Sequence, residues 1–497
     1  MAGTQRRIFQ IAARTAILGV LLACAALLSH THHAAYAASD CAATGSPQGP
    51  FSFDTWEAGD YKTRYGGTME LAANNQLFPD DPAFALPPLE TGDRAAGSGT
   101  TTAPYIPPVI LKAIAYIESG WAQASYDPLV KYGETGPALV SADCGYGLMQ
   151  VTSGMQNISG IPSLAQTMIG SNYAFNIARG AQILAQKWND GPELRPIAGN
   201  RDPRVIENWY FALWAYNGFA YHNHPLNPGY DPQRPPYDCQ PDTPRDYPYQ
   251  ELIFGCIANP PLRDGAPLWS AQPVTLPDLK DPAFSGPLDP SNWNACSYQA
   301  ECAPMDIPTP GGAGHTDPTV PSIDSATLLG QPAIASTSSV DVTPAGTTAQ
   351  VEVTITNPGS GLASWRALGS TPWISTSPLA GISLGAERGG YSTPLTVSIN
   401  ASGLPPGDYV GDVMVESTAA AGAPLSIPVT LHVSTPSNCD GHLDAADALA
   451  VLLKVSGLGG CVADVPDMNC DGVVDTADAE LVLQFLAGLS SGPTPCG

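Results

Sequence analysis

The chain has 497 residues and carries 45 acidic against 20 basic side chains, a net charge of −25. Binding nucleic acid depends on lysine and arginine to neutralise phosphate, so this balance excludes it as a main role. Fifty glycines and fifty prolines exclude a single uniform helical or sheet body, and a chain of this length is expected to fold as roughly two to four compact units joined by linkers.

Residues 1–37 read as a signal peptide. Arg6, Arg7 and Arg14 form its positive end, and Ala16 to Leu28 is an apolar run too short to span a bilayer. Ala35-Tyr36-Ala37 matches the small-x-small cleavage pattern. Leu21-Leu22-Ala23-Cys24 is a weak match to a lipoprotein site, and the sequence stays apolar beyond Cys24, which argues against lipidation. No other stretch is long and apolar enough to cross a membrane. A secreted or cell-surface protein is therefore expected, with the ten cysteines beyond Cys24 in an oxidising compartment where disulfides are the default.

Residues 38–302 read as one catalytic domain with extensions at both ends. Asp60 to Leu77 has Tyr61, Tyr65 and Met69 on one helical face, interrupted by Gly66-Gly67. Ile106 to Gly120 predicts a helix opened by Pro107 and Pro108, where missing N–H groups are tolerated. Only Lys112 is charged before Glu118, so the helix is buried nearly all round. Gly120 suits the left-handed residue that ends a helix. Burial and the negative end of the helix dipole both raise the pKa of Glu118, as a general acid requires. Further motifs follow: Gly145-Tyr146-Gly147-Leu148-Met149-Gln150, Asn176-Ile177-Ala178-Arg179-Gly180-Ala181 and Ala215-Tyr216-Asn217-Gly218.

Glu-Ser-Gly, Gly-x-Gly-Leu-Met-Gln and Ala-Tyr-Asn-Gly, in this order, resemble the soluble-lytic-type lytic transglycosylases and goose-type lysozymes, over roughly residues 100 to 220. The resemblance implies a mainly α, lysozyme-like fold that cleaves between N-acetylmuramic acid and N-acetylglucosamine in peptidoglycan, without a metal for the chemistry. It implies that Glu118 is the catalytic residue, that Ser119, Met149 and Gln150 line the cleft, and that Tyr216 and Asn217 hold Glu118 or the sugar. The muramic 6-hydroxyl would close on the anomeric carbon to leave a 1,6-anhydro end. A hydrolase on the same scaffold needs a second carboxylate to activate water, for which Asp143 is the best placed, with Asp127 and Glu134 behind it. An inactive glycan-binding surface protein is a further alternative, opposed by the intact motifs.

From about 221 to 300 the chain is rich in proline and tyrosine and is expected to wrap the helical core, held by Cys239, Cys256, Cys296 and Cys302. Proximity suggests Cys239 with Cys256 and Cys296 with Cys302, leaving Cys41 for Cys144. His222 and His224 with Cys239 and Cys256 could be imagined as a zinc site, but export makes those cysteines disulfide candidates. Gly381-Ile382-Ser383-Leu384-Gly385 and Gly488-Leu489-Ser490-Ser491-Gly492 match a nucleophile elbow, yet neither is followed by a convincing helix.

Residues 303–330 read as a Pro/Gly linker. In residues 331–433 the period changes to two, at Val351–Thr356, Leu395–Ile399 and Val413–Glu416, as in an all-β sandwich. Trp373-Ile374-Ser375 and Leu404-Pro405-Pro406-Gly407-Asp408-Tyr409 resemble BACON-type immunoglobulin-like domains. Trp365 and Trp373 could stack on sugars; the plainer reading puts tryptophan in the core of a spacer.

Residues 434–489 hold a repeat of period 31, followed by the tail 490–497. Asp467, Asn469, Asp471, Val473, Asp475 and Asp478 sit at calcium-loop spacing, with Gly472 at the sharp turn. Shifting back gives Asn438, Asp440, Asp444 and Asp447, with Pro436 in place of the first acid. The paired loops and their following helices resemble a small α type I dockerin, which implies structural Ca2+ and a cohesin-bearing partner. Repeat symmetry favours disulfides Cys439 with Cys461 and Cys470 with Cys496.

Overall fold

The computed structural model describes residues 51–91, 100–125, 131–156, 160–190, 197–280, 306–307, 314–336, 339–344, 347–405, 407–417, 424–433, 445–458, 469 and 471–489. Residues 1–37, expected to be an export signal, with Cys24, and also Cys41, Asp127, Cys296, Cys302, Asn438, Cys439, Asp440, Asp444, Cys461, Asp467, Cys470 and Cys496, lie outside them, and of Asp447 only the backbone is described.

The N-terminal domain is helical around one apolar core. Strand β1 (Asp54–Trp56) leads through a π-helical turn (Lys62–Gly66) into α1 (Gly67–Ala73). The expected helix is thus present but shorter, and Gly67 leaves room for Ile323, whose methyl would lie 2.7 Å from an added Cβ. Helix α2 (Pro108–Ser119) follows, then β2 (Thr135–Pro137), which pairs with β1. Helices α3 (Leu164–Ser171), α4 (Tyr173–Asn189), α5 (Tyr210–Tyr216) and α6 (Tyr249–Ala258) complete the layer. Lys112, the one cation in α2, is buried and meets Glu70 at 2.7 Å, so the helix keeps its charge without leaving it unpaired.

The stretch read as a linker behaves otherwise in its described part. Asp306–Ile307 pair with Ile197–Ala198, and residues 314–330 lie on the domain, with α7 (Ser325–Leu329) burying Leu328. Three buried carboxylates hold them. Glu207 accepts from the backbone N–H of His315 at 2.9 Å, Asp317 accepts from the N–H of Val109 at 2.7 Å, and Glu70 accepts from Ser322 at 3.3 Å. Proline and glycine here set an extended path rather than a loose one, because side-chain acceptors pin it. Asp317 in effect caps α2, whose own leading residue Pro107 has no side chain to do so.

The following unit is a sandwich. Strands β3 (Val340–Val342), β4 (Thr348–Val353), β5 (Leu362–Gly369), β6 (Ile374–Ser377), β7 (Ala380–Leu384), β8 (Leu395–Asn400), β9 (Gly407–Ser417) and β10 (Leu425–Val433) form two sheets. One has the order β3-β10-β9-β5-β7 and the other β4-β8-β6; all pairs are antiparallel except β3 with β10. The alternation foreseen at Leu395–Ile399 and Val413–Glu416 falls in β8 and β9, with Leu395, Val397, Ile399, Val413 and Val415 inward.

Trp365 is fully buried and donates its indole N–H to Ser383 Oγ at 3.0 Å, so it is core and cannot stack on a sugar. Trp373 is partly exposed beside Tyr409. Ser383, in one of the two elbow-like sequences, is buried and bonded to Ile355 O, which leaves it no nucleophilic role. At the C-terminus α8 (Ala445–Val455) and α9 (Thr476–Leu486) pack through Ala448, Val451, Ala479 and Val482. Among the described residues, no helix is long and apolar enough to cross a membrane.

Candidate active site

Glu118 stands in the last turn of α2. Gly120 ends the helix at φ 64°, with its N–H on Tyr116 O at 2.8 Å. Two arginines answer the negative end of the helix: Arg245 donates to Ile117 O at 3.0 Å and Arg263 to Gly120 O. The Glu118 side chain is partly exposed at the surface of a largely desolvated setting. Burial pushes its carboxyl up to about 7, helped by the charge of Asp143 and opposed by the Tyr249 hydrogen bond and Arg245.

Tyr249 Oη donates to Glu118 Oε1 at 2.5 Å. Burial and the adjacent Glu118 charge push the phenol well above its usual range, so it stays a donor through the cycle. Among the described residues Oε2 has no hydrogen-bond partner, which leaves it to carry the transferable proton. Nothing in the local sequence around Tyr249 announced this role: it lies in a proline-rich stretch, 131 residues from Glu118. Its place is fixed by a relay in which the Tyr249 N–H donates to Asn223 Oδ1 at 3.1 Å and Asn223 Nδ2 donates to Asn217 Oδ1 at 2.8 Å. The Cys239–Cys256 disulfide, with Cα atoms 4.9 Å apart, ties α6 to the preceding strand of chain, and it removes those two thiols from any zinc site. Cys144 is also disulfide-bonded, to a residue outside those described.

The other sequence-selected residues divide into two groups. Ser119 Oγ lies 2.9 Å from both Ala115 O and Leu148 O, bridging the helix end to the glycine motif. Gln150 is partly exposed and donates to Gly147 O at 2.8 Å. Tyr216 Oη donates to Met149 O at 2.9 Å rather than to Glu118, though the Glu118 charge acts on the phenol. Asn217 is exposed and reaches Glu118 only through Asn223 and Tyr249. Met149 does not line a cleft with its side chain, contrary to expectation. It is fully buried against Gly180, whose added Cβ would lie 2.6 Å away, and its N–H is held by Asn176 Oδ1 at 2.9 Å.

Asp143 is exposed and accepts from Ser141 Oγ at 2.5 Å; Glu134 is exposed as well. His224 is buried against Trp214, with burial holding its imidazole down to about 4, and it accepts from Leu226 N–H at 3.1 Å. Among the described residues no group of three acidic, His or Cys side chains is arranged to hold a metal.

Comparison with known proteins matches two stretches of the chain. Residues 98–224 match the family described as Transglycosylase SLT domain, and residues 333–427 match Viral BACON domain. No curated protein matches the chain. Solved structures with partial similarity include the periplasmic chaperone SfaE, at 12% identity over 20% of this chain and 56% of that one, with a TM-score of 0.17. Another is a Bacteroides ovatus GH5 xyloglucanase in complex with a XXXG heptasaccharide, at 14% identity over 24% of this chain and 25% of that one, TM-score 0.16. A third is WR4, a C. elegans MSP family member, at 15% identity over 20% of this chain and 97% of that one, TM-score 0.16. The chain thus spans about half and a quarter of the first two, and at these TM-scores none bears on function. Two stretches of the chain are thus similar to known families, residues 98–224 to the transglycosylase SLT domain and, C-terminal to them, residues 333–427 to the viral BACON domain.

Proposed function

We propose that this is a secreted lytic transglycosylase that cleaves the β-1,4 bond between N-acetylmuramic acid and N-acetylglucosamine and leaves a 1,6-anhydromuramic end. The observation that carries the reading is the geometry of Glu118, at the end of a buried helix with one oxygen engaged by Tyr249 and the other without a hydrogen-bond partner among the described residues. Desolvation in this setting pushes the carboxyl up to about 7. Glu118 gives its proton to the glycosidic oxygen as the bond from the anomeric carbon breaks. The carboxylate so formed is stabilised by the Tyr249 hydroxyl. It then takes the proton of the muramic 6-hydroxyl, whose oxygen bonds to the anomeric carbon, so Glu118 ends protonated and no water is consumed.

Hydrolysis with Asp143 as base is the second reading, favoured by the action of the Asp143 charge on Glu118. Mass spectrometry of muropeptides released by the purified protein separates the two. An anhydro end supports the transglycosylase, a reducing muramic end supports the hydrolase, and no release overturns both.

Export, a calcium module and a cohesin partner complete the proposal. The case for calcium rests on donor chemistry rather than on a gathered site, since Asn469, Asp471, Asp475 and Asp478 offer only oxygen acceptors to a hard cation while the described acids are not drawn together as a metal-holding group. Gly472 has φ 83°, as the sharp turn of such a loop requires. The buried Asp478 carboxylate accepts from Asn469 N–H at 3.3 Å and Asp475 N–H at 2.8 Å, drawing the two limbs of the loop together. With Asp467 and the Val473 carbonyl these residues would hold the ion, and Asn438, Asp440, Asp444 and Asp447 a weaker one. The ion's part would be structural, neutralising acids that otherwise repel. Titration calorimetry on the full chain should show Asp478→Ala losing more calcium affinity than Asp447→Ala; absence of binding would overturn the module's assignment.

A further inference from the structure

Strand β7 is the edge of its sheet, yet all five of its residues are buried. By contrast β8 alternates buried and more exposed positions. The second side of β7 is covered by the N-terminal domain: Leu362, Ala380, Ile382 and Leu384 belong to the same apolar cluster as Phe53, Trp56 and Ile169. The contact is also polar. Asp54 Oδ2 accepts from Tyr391 Oη at 3.0 Å and from Thr393 Oγ1 at 2.9 Å. The fully buried Ser171 and Ser364 hydroxyls meet at 2.8 Å, and Arg366 donates to Pro162 O at 2.8 Å. The Arg388 guanidinium lies 5.0 Å from the Trp56 ring centre.

Several of these contacts fall on β1, and the residue after β1 is Glu57. It is buried, and it spans the gap to the loop beyond the Glu118 helix. Its Oε2 accepts from the N–H groups of Gln123 and Ala124, each at 2.9 Å, and its Oε1 from Tyr65 Oη at 2.8 Å. Gln123 Oε1 in turn accepts from Leu148 N–H at 3.2 Å, and Leu148 O lies 2.9 Å from the hydroxyl of Ser119, next to Glu118. An unbroken run of contacts therefore joins the sandwich to both walls of the site.

We infer that the sandwich is a fixed buttress of the active site rather than a spacer, acting through β1, with Glu57 as the positioning residue that passes its support to the loops around Glu118. A buttress of this kind sets the geometry of the reacting carboxyl, so its loss should lower turnover more than binding. The kinetic part of the test rests on the transglycosylase reading; the structural part does not.

Hydrogen–deuterium exchange by mass spectrometry and steady-state kinetics on peptidoglycan would compare the full chain with its Y391F/T393V and Glu57→Gln variants. Expected is exchange raised about fivefold in residues 119–125 and 145–151 by Y391F/T393V, the size of one lost hydrogen bond. kcat should fall roughly threefold to tenfold with KM unchanged, and Glu57→Gln should give the same pattern at larger amplitude. Helix α4 should keep its protection. Tyr391→Phe alone serves if the double variant does not fold. Exchange changes confined to residues 51–56 and 380–393, with kcat intact, would overturn the inference. A wild-type protein that releases no muropeptide would overturn the transglycosylase and hydrolase readings but not this inference, and the exchange pattern would still decide whether the sandwich supports the site.

Discussion

Glu118 and Glu57 stand on the two sides of one turn of chain, and burial pushes both carboxyls up. What separates them is the number of donors. Glu57 accepts from Tyr65, Gln123 and Ala124, so both oxygens are committed to holding backbone. Among the described residues Glu118 accepts from Tyr249 alone. A carboxyl with every oxygen engaged is an anchor, whereas one left with a free oxygen can move a proton. Desolvation of both thus yields two different tools, and the hydrogen-bond partners decide which.

The comparison breaks hardest at Glu118. Glu118→Gln keeps the shape and removes the proton, and activity on peptidoglycan should fall roughly a hundredfold to ten-thousandfold, with an unchanged circular dichroism spectrum. The same variant should gain stability. Because the folded carboxyl titrates near 7 against an ordinary 4.5, its protonated form is the one that folding favours. Its contribution is fully present below about pH 4.5 and is lost as pH rises through 7, which leaves up to about 3 kcal/mol for Gln to recover at alkaline pH. Thermal melts at pH 8 and pH 4 check the sign: a raised Tm at pH 8, little change at pH 4.

Glu57→Gln tests the other half. The amide cannot accept at both ends, so at least one buried N–H or hydroxyl loses its partner, at about 1–3 kcal/mol. Denaturant melts of the full chain at alkaline pH, above the raised Glu57 pKa, should show that loss. A stability equal to the wild type's would mean that Glu57 anchors nothing.

Tyr249→Phe removes the one hydrogen-bond donor that Glu118 has among the described residues. The hydrogen bond favours the ionised form, so its loss should move the alkaline limb of the pH–activity profile upward, by about one unit. Asp143→Asn gives the smallest change and the opposite sign. Removing a charge that raises the Glu118 pKa should shift that limb down by a few tenths of a unit. If Asp143→Asn instead matched Glu118→Gln in lost activity, the hydrolase reading would gain.

Local chemistry was readable in the chain, and long-range assembly was not. The helix ending at Glu118 follows from two prolines, a nearly uncharged run and Gly120, all within a few residues. The alternating strands β8 and β9 were equally plain. Tyr249 was invisible because its helix sits among prolines and its partner is far away in sequence. Met149 was misplaced because a motif records that a residue is needed, not which atoms face the ligand; here the backbone serves the site and the side chain fills the core against Gly180. Residues 314–330 looked like a linker on composition, since nothing local reveals that buried Glu207, Asp317 and Glu70 will hold them. The outward face of β7 carries Ala380, Ile382 and Leu384, which read as ordinary sandwich core until the second domain is in place.

The cap on α2 also sets an order of events. Val109 and Asp317 are 208 residues apart, so the helix that carries Glu118 begins long before the residue that completes its first turn. A chain made from its N-terminus has Glu118, the glycine motif and even Tyr249 in hand while that cap is still to come. The contacts of Tyr391 and Thr393 with Asp54 arrive later still. The unit proposed to be catalytic is therefore completed by its most distant sequence, and its last contacts wait until nearly four-fifths of the chain exists, since Thr393 is residue 393 of 497.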